Sequence, residues 1–381
     1  MGKRLCLWSA HYPPHRGGVE QYTQNLAAAL AERGNQVTVV TTNLFDSTSV
    51  ETEPGGVEVM RLPSHRLMNG RLPIPKRNGE YRRLLGHLDE QQFNGVLVNT
   101  RFYPHSLEGM RFAQRQGVRP AVLDHGSAYL TLGQPAIDAI IARYEHIVTA
   151  LGKKYSPRFF GVSQASCQWL ETFGIEAEGV LGNSIDADAF RALASEQSFR
   201  QELGIGPDTL VIAFVGRIAP EKGIASLVEA ARQLQDNDMH FLAAGKGTLL
   251  ESLQQEAPEN LTLLGPLPPE DVSALLSQSD IFCLPTRSEG FCTALLEAGA
   301  WGCVPVITHV GGTDELIPTD ETGIVLKDAQ PETIAATIRQ LADDWPTAHL
   351  KGERLRSLVD SDYSWQSAAE RVEAALIEGA V

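Results

Sequence analysis

The sequence predicts an α/β protein of two doubly wound parallel-sheet domains, and three observations predict it. Short β-branched or apolar runs alternate with amphipathic helical stretches from end to end, the pattern of parallel strands covered by helices on both faces. The chain has 381 residues, longer than a single core usually grows. The runs also fall into two series that meet near residues 183–190, where Asn183, Ser184, Ile185 and Asp186 interrupt the alternation. Domains are therefore expected at 1–185 and 186–362, with a terminal helix over 363–381.

The first βαβ unit sets the pattern. A strand at 5–8 leads to Gly17 and Gly18; a helix follows with Val19, Tyr22, Leu26 and Leu30 on one face, Gly34 stops it, and a strand runs over 37–42. Strands at 57–62, 96–99, 121–123, 159–162 and 179–181 complete the first sheet. The second series comprises 210–215, 240–244, 261–264, 281–284, 304–308 and 324–326. After Ser364 the pattern is an amphipathic helix with Trp365, Ala368, Val372 and Leu376 on one face and no strand beyond it.

Composition narrows the function. A hydrophobic fraction of 43% with 21% charged residues describes an ordinary globular chain. No apolar run reaches the length of a membrane span, and the opening residues turn polar by Ser9, so neither a span nor a signal peptide is expected. Five cysteines without CxxC spacing point to a reducing cytoplasm and no structural metal. A net charge of -15 excludes a nucleic-acid binder resting on a basic surface. One segment runs against that charge: between residues 61 and 83 lie Arg61, Arg66, Arg71, Lys76, Arg77, Arg82 and Arg83 against the single acid Glu80. Leu67, Met68, Leu72 and Ile74 are interleaved with them, and Pro73 and Pro75 suggest an exposed loop. Arg66, Arg71, Lys76 and Arg77 are candidates for a surface that meets an anionic acceptor or an anionic membrane; a solvated loop is the plainer alternative.

Ligands of open α/β sheets bind beyond the carboxyl ends of strands. After strand 210–215 come Gly216, Arg217 and Lys222 just before a helix; a planar guanidinium, a point-charge ammonium and free helix N–H groups suit a diphosphate. The same cations would equally serve as a solvated pair with Glu221. After strand 281–284 come Glu289, Gly290, Phe291 and Cys292, with Glu297 further into the next helix. Free amides open toward a ligand there, and carboxylates that accept two hydrogen bonds suit vicinal hydroxyls. Gly17 and Gly18 open a helix N-terminus in the first domain, and His125 ends the strand at 121–123. Three Asp-x-Asp triplets, at Asp186, Asp236 and Asp360, sit at caps, in a turn or at the wrong strand end, so no metal is assigned. The dinucleotide fingerprint GxGxxG is absent.

Together GGVE, HG, GNSID, VGRIAPEKG, AGKGTL, EGFCTALLEA, GGTDELI and a closing SW helix resemble glycosyltransferase family 4, retaining enzymes of the GT-B fold. The resemblance implies two Rossmann-like domains facing each other across a cleft and closing over a donor, with the last helix crossing back to the first domain. It implies that Arg217 and Lys222 hold the donor diphosphate, Glu289 binds sugar hydroxyls and Glu297 the ribose. Gly17 and Gly18 would approach the phosphates, His125 the transferred sugar, and Gly245 and Leu267 the base. Lys246 and Trp301 depart from the usual small or acidic residues. The implied enzyme moves a hexose-type sugar from a nucleoside-diphosphate sugar, a substrate and not a cofactor, to a sugar, lipid-linked or anionic acceptor, without a metal. It would act in the cytoplasm, at the inner face of the membrane where the acceptor is a lipid. An epimerase or phosphorylase of the same architecture, or a silent sugar-nucleotide-binding subunit, are the alternatives.

Overall fold

The computed structural model describes residues 2–131, 133–235 and 238–377. Asp236 of the middle Asp-x-Asp triplet and the last four residues of the expected terminal helix lie outside them. Contacts divide the chain into two units, Met1–Asn183 with Trp365–Val381, and Ser184–Ser364.

The first unit holds strands β1 (Arg4–Ser9), β2 (Gln36–Asn43), β3 (Val50–Thr52), β4 (Glu58–Leu67), β5 (Leu72–Pro75), β6 (Gly95–Asn99), β7 (Ala121–Asp124), β8 (Arg158–Gly161) and β9 (Gly179–Val180). Their order is β3-β4-β2-β1-β6-β7-β8-β9, parallel except where β3 and β5 pair with β4. The central strands carry continuous apolar runs, because a parallel sheet is covered on both faces; Leu5, Cys6, Leu7, Trp8, Val96, Leu97 and Val98 are all fully buried. The terminal helix Trp365–Ile377 packs in this unit. Leu376 sits against Gly95, Trp365 meets Tyr22 edge-on at 5.6 Å, and Arg33 bonds Glu373 at 3.0 Å.

β3 and β5 are absent from the sequence-based reading, and β5 corrects it. The basic segment is not an exposed loop but an antiparallel hairpin, with Arg66 opposite Pro73 and Ser64 opposite Pro75, followed by helix Gly79–Glu90. Proline is tolerated because β5 is an edge strand whose missing N–H groups break no inner ladder. Arg61 also leaves the candidate surface: it is buried, ion-paired with Glu51 and 5.8 Å from the Tyr12 ring centre.

The second unit contains β10 (Leu210–Val215), β11 (Met239–Ala244), β12 (Leu261–Gly265), β13 (Ile281–Leu284), β14 (Val304–Thr308) and β15 (Ile324–Leu326). All pairs are parallel and the order is β12-β11-β10-β13-β14-β15. Chain direction across the sheet therefore reverses between β10 and β13. That is the switch point of a doubly wound sheet, where the loops leaving two neighbouring strands part to opposite faces and leave a crevice. In the first unit the same reversal falls between β1 and β6. Helix Ile224–Gln233 buries Ile224, Leu227, Val228, Ala230 and Ala231 on the second sheet, an amphipathic face at helical spacing.

Candidate active site

The two loops with the unusual charges leave the two strands at the second unit's switch point. After β10, residues 216–219 lead into a single turn at Pro220–Lys222, and Gly223 starts the helix with φ 71°. That left-handed backbone is open to glycine at little cost, and a Cβ there would lie 2.1 Å from the Pro285 carbonyl oxygen. The loops after β10 and β13 thus touch through backbone. Arg287 N–H donates to the Glu221 carbonyl at 2.8 Å and Thr286 Oγ1 to the same oxygen at 3.3 Å.

This contact brings Lys222 to Glu289, and the two form a largely buried ion pair. Arg217 takes another course: Nη2 lies 2.9 Å from Glu221 Oε1, and the side chain is 66% exposed. Such an exposed pair contributes little to folding. Glu297 lies in helix Thr293–Trp301, and no donor or cation among the described residues is paired with its carboxylate. Desolvation alone pushes it up to about 7. A half-buried carboxylate without a paired cation is an acceptor in waiting for hydroxyl donors. Cys292 is buried and its thiol is pushed far up by that burial, so it is no nucleophile.

Backbone closes the rest of the site. Gly216 N–H donates to Ala244 O at 3.0 Å, Gly245 N–H to Gly265 O at 2.8 Å, and Ile218 N–H to Lys246 O at 2.9 Å, so the ends of β10, β11 and β12 are laced together. Leu267 is partly buried against a small cluster with Phe199 and Leu242. On the other side Cys292 N–H donates to Gly311 O at 2.9 Å, and a Cβ at Gly311 would lie 2.1 Å from Gly290 O. Phe291 packs 3.5 Å from the Cβ position of Gly312. Gly311 and Gly312 have no role assigned from sequence; the signal is the GG pair itself directly after β14.

In the first unit, Gly17 is the cap of helix Gly18–Glu32 and supplies no side chain to its first N–H groups. His125 follows β7. Its Nε2 lies 2.9 Å from Asn99 Oδ1; Asn99 Nδ2 donates to Thr23 Oγ1 at 3.0 Å, and Thr23 Oγ1 to Val19 O at 2.7 Å. This relay fixes Asn99 with its oxygen toward the imidazole, so Nε2 carries the proton and Nδ1 is left as acceptor. Burial lowers His125 to about 3, which keeps it neutral. Behind it lies Arg101, which sequence reasoning missed. It is 1% exposed, 3.2 Å from Asp124 Oδ2 and 2.8 Å from Glu145 Oε2, with its guanidinium carbon 3.9 Å from the Phe173 ring centre. Asp124 precedes His125, and Glu145 also accepts from Leu130 N–H at 3.1 Å, so one buried guanidinium anchors both sides of the loop.

The candidate surface residues Arg66, Arg71, Lys76 and Arg77 are exposed. Arg66 lies 3.1 Å from Asp46 and Arg77 3.0 Å from Glu108, and Leu67 and Met68 beside them are 46% and 50% exposed. No helix among the described residues is long and apolar enough to cross a membrane.

Two family descriptions between them match most of the chain: Glycosyltransferase Family 4 over residues 16–188 and Glycosyl transferases group 1 over residues 195–376. The chain is 26% identical to a GDP-mannose-dependent alpha-(1-6)-phosphatidylinositol monomannoside mannosyltransferase of Mycolicibacterium smegmatis, over 98% of each chain. To the yeast phosphatidylinositol N-acetylglucosaminyltransferase GPI3 subunit, from Saccharomyces cerevisiae, it is 24% identical, over 97% of this chain and 82% of that one. Among solved structures it matches the Anabaena protein HepE in complex with UDP and glucose, with a TM-score of 0.68 at 17% identity, over 98% and 99% of the two chains.

Proposed function

The chain belongs to glycosyltransferase family 4, and from that premise we propose that it moves a hexose-type sugar from a nucleoside-diphosphate sugar to an acceptor hydroxyl with retention of anomeric configuration, without a metal. The observation that carries the reading is the Lys222–Glu289 ion pair at the switch point, with Arg217 at its rim. Negative charge builds on the diphosphate as the glycosidic bond breaks. Lys222 and Arg217 supply charged donors aimed at that charge, which is how a preorganised site lowers the barrier, whereas the Cys292 N–H is engaged by Gly311 O. Glu289 holds Lys222 in place and is assigned to the sugar hydroxyls. Glu297 accepts from the ribose, Gly216, Gly245 and Leu267 line the base, and Gly17 and Gly18 are assigned to the phosphates. Neutral His125 offers Nδ1 to a hydroxyl of the transferred sugar. The departing diphosphate oxygen takes the acceptor proton, so no general base is required.

For the acceptor we favour a lipid-linked or anionic molecule in glycolipid biosynthesis, at the surface bearing Arg66, Arg71, Lys76 and Arg77. The phosphatidylinositol-directed relatives support it, and so does the mixture of exposed cations with Leu67 and Met68. The test is a panel of UDP- and GDP-sugars incubated with phosphatidylinositol-containing and polyprenyl-phosphate vesicles, followed by mass spectrometry of the lipid and determination of the anomeric configuration of any new linkage by NMR. A glycosylated lipid whose new linkage keeps the donor's anomeric configuration supports the proposal. Diphosphate release without any acceptor, or an epimerised donor, rejects transfer.

A further inference from the structure

We propose that His11, His15 and Glu20 of the first unit form a binding site for a divalent transition metal of the zinc type. His11 and His15 stand on the loop after β1, and Glu20 lies in the first turn of helix Gly18–Glu32. The His15 N–H to Tyr12 O bond of 3.1 Å folds the loop back on itself, so the two imidazoles stack with centres 4.5 Å apart. His15 Nδ1 lies 2.7 Å from Glu20 Oε1. One ligand atom from each of the three residues lies within 4.8 Å of the other two.

Two features distinguish this cluster from an ordinary ion pair. His11 is 9% exposed, and its Nδ1 is buried without a hydrogen-bond partner among the described residues. A buried imidazole nitrogen left bare beside a second imidazole and a carboxylate offers a lone pair that a metal ion would satisfy. The second feature is Glu20. Its carboxylate is 5% exposed and fills the space beside Gly17, where a Cβ would stand 2.4 Å from Oε2. The glycine thus admits a carboxylate whose one side-chain partner among the described residues is the His15 imidazole.

The donor set selects the ion. Two imidazoles and one carboxylate suit zinc, cobalt, nickel or copper and not magnesium or calcium, which take oxygen ligands. Ligand atoms about 2.1 Å from a tetrahedral ion stand about 3.4 Å apart, so the widest separation of 4.8 Å must contract by roughly 1.4 Å and the 2.7 Å contact of His15 with Glu20 must open by roughly 0.7 Å. Rotation of His15, whose side chain is 37% exposed, provides the adjustment. Three protein ligands leave a fourth position open. None of these residues is assigned to the transfer step, so the site stands or falls independently of the proposed mechanism.

The test uses the full chain. Titration with Co2+ should give the visible bands of a tetrahedral complex, saturating at one ion per chain and displaced by Zn2+ but not by excess Mg2+. His15→Gln and Glu20→Gln should each weaken Co2+ binding by at least about 100-fold, the scale reached by losing an outer-shell partner alone. Cys167→Ser and His309→Gln, which alter other exposed or partly exposed ligands, should leave it unchanged. Absence of saturable uptake overturns the proposal, as does uptake that survives His15→Gln. If a variant unfolds, X-ray absorption of the Zn2+-loaded parent decides: nitrogen and oxygen scatterers with imidazole features support the site, and sulfur bound to the metal refutes it.

Discussion

Replacing Glu297 by glutamine should change the pH dependence of stability and weaken nucleotide binding in the same protein. Burial raises the carboxyl from 4.5 to about 7. A rise of one in pKa corresponds to about 1.4 kcal/mol, so ionising Glu297 in the folded chain costs about 3 kcal/mol more than in the unfolded one. The sign follows from linkage. The stabilisation from the protonated form is full below about pH 4.5, falls as pH rises, and is lost above about pH 7. Urea unfolding between about pH 5 and pH 8 should therefore show a steeper decline for the parent than for Glu297→Gln, by up to about 1.4 kcal/mol per pH unit, with the variant the more stable at the alkaline end. The carboxylate that costs stability is the one assigned to the ribose. At the alkaline end the variant should bind nucleoside diphosphate about 10- to 100-fold more weakly, the worth of hydrogen bonds to a charged acceptor. Parallel unfolding curves would refute the desolvation argument, and unchanged affinity would remove Glu297 from the site.

Arg101→Met should destabilise the first unit by about 3 to 5 kcal/mol, because Asp124 and Glu145 are left as unpaired buried acids; thermal melting measures it, and a loss under about 1 kcal/mol would mean that the two acids are neutral without it. Gly223→Ala places a side chain at φ 71° and against Pro285 O, so about 1 to 3 kcal/mol should be lost together with nucleotide affinity; a variant that binds normally would show that the contact between the two loops is dispensable. Neutralising Arg66, Arg71, Lys76 and Arg77 together should abolish salt-sensitive co-sedimentation with anionic vesicles, each cation contributing about 1 kcal/mol, whereas equal pelleting of both proteins would reject the membrane reading.

Both sheets were legible in the sequence because their buried strands are continuous apolar runs, such as Leu5 to Trp8 and Leu210 to Val215, followed by glycine-containing loops and amphipathic helices. β3 and β5 were not, since an edge pair of three or four half-exposed residues carries no hydrophobic pattern, and Pro73 and Pro75 argue against a strand until the edge position is known. The charged loops could be found because they follow strands at a switch point. Their pairing could not: that Lys222 meets Glu289 while Arg217 turns to Glu221 depends on the close backbone passage at Gly223. Arg101 was invisible for a different reason. An arginine reads as surface unless its two acids, 23 and 44 residues further along the chain, are known to converge on it.

The central claim is that Arg217 and Lys222 stabilise the leaving diphosphate. It is tested most directly by turnover of Arg217→Ala on a saturating nucleotide-sugar donor with its acceptor, measured as glycosylated product. The side chain is 66% exposed and paired only with Glu221 among the described residues, so the variant should melt with the parent. Turnover should nevertheless fall by about 10²-fold or more, as on losing one preorganised donor from a transition-state site. Turnover equal to the parent's would contradict the account.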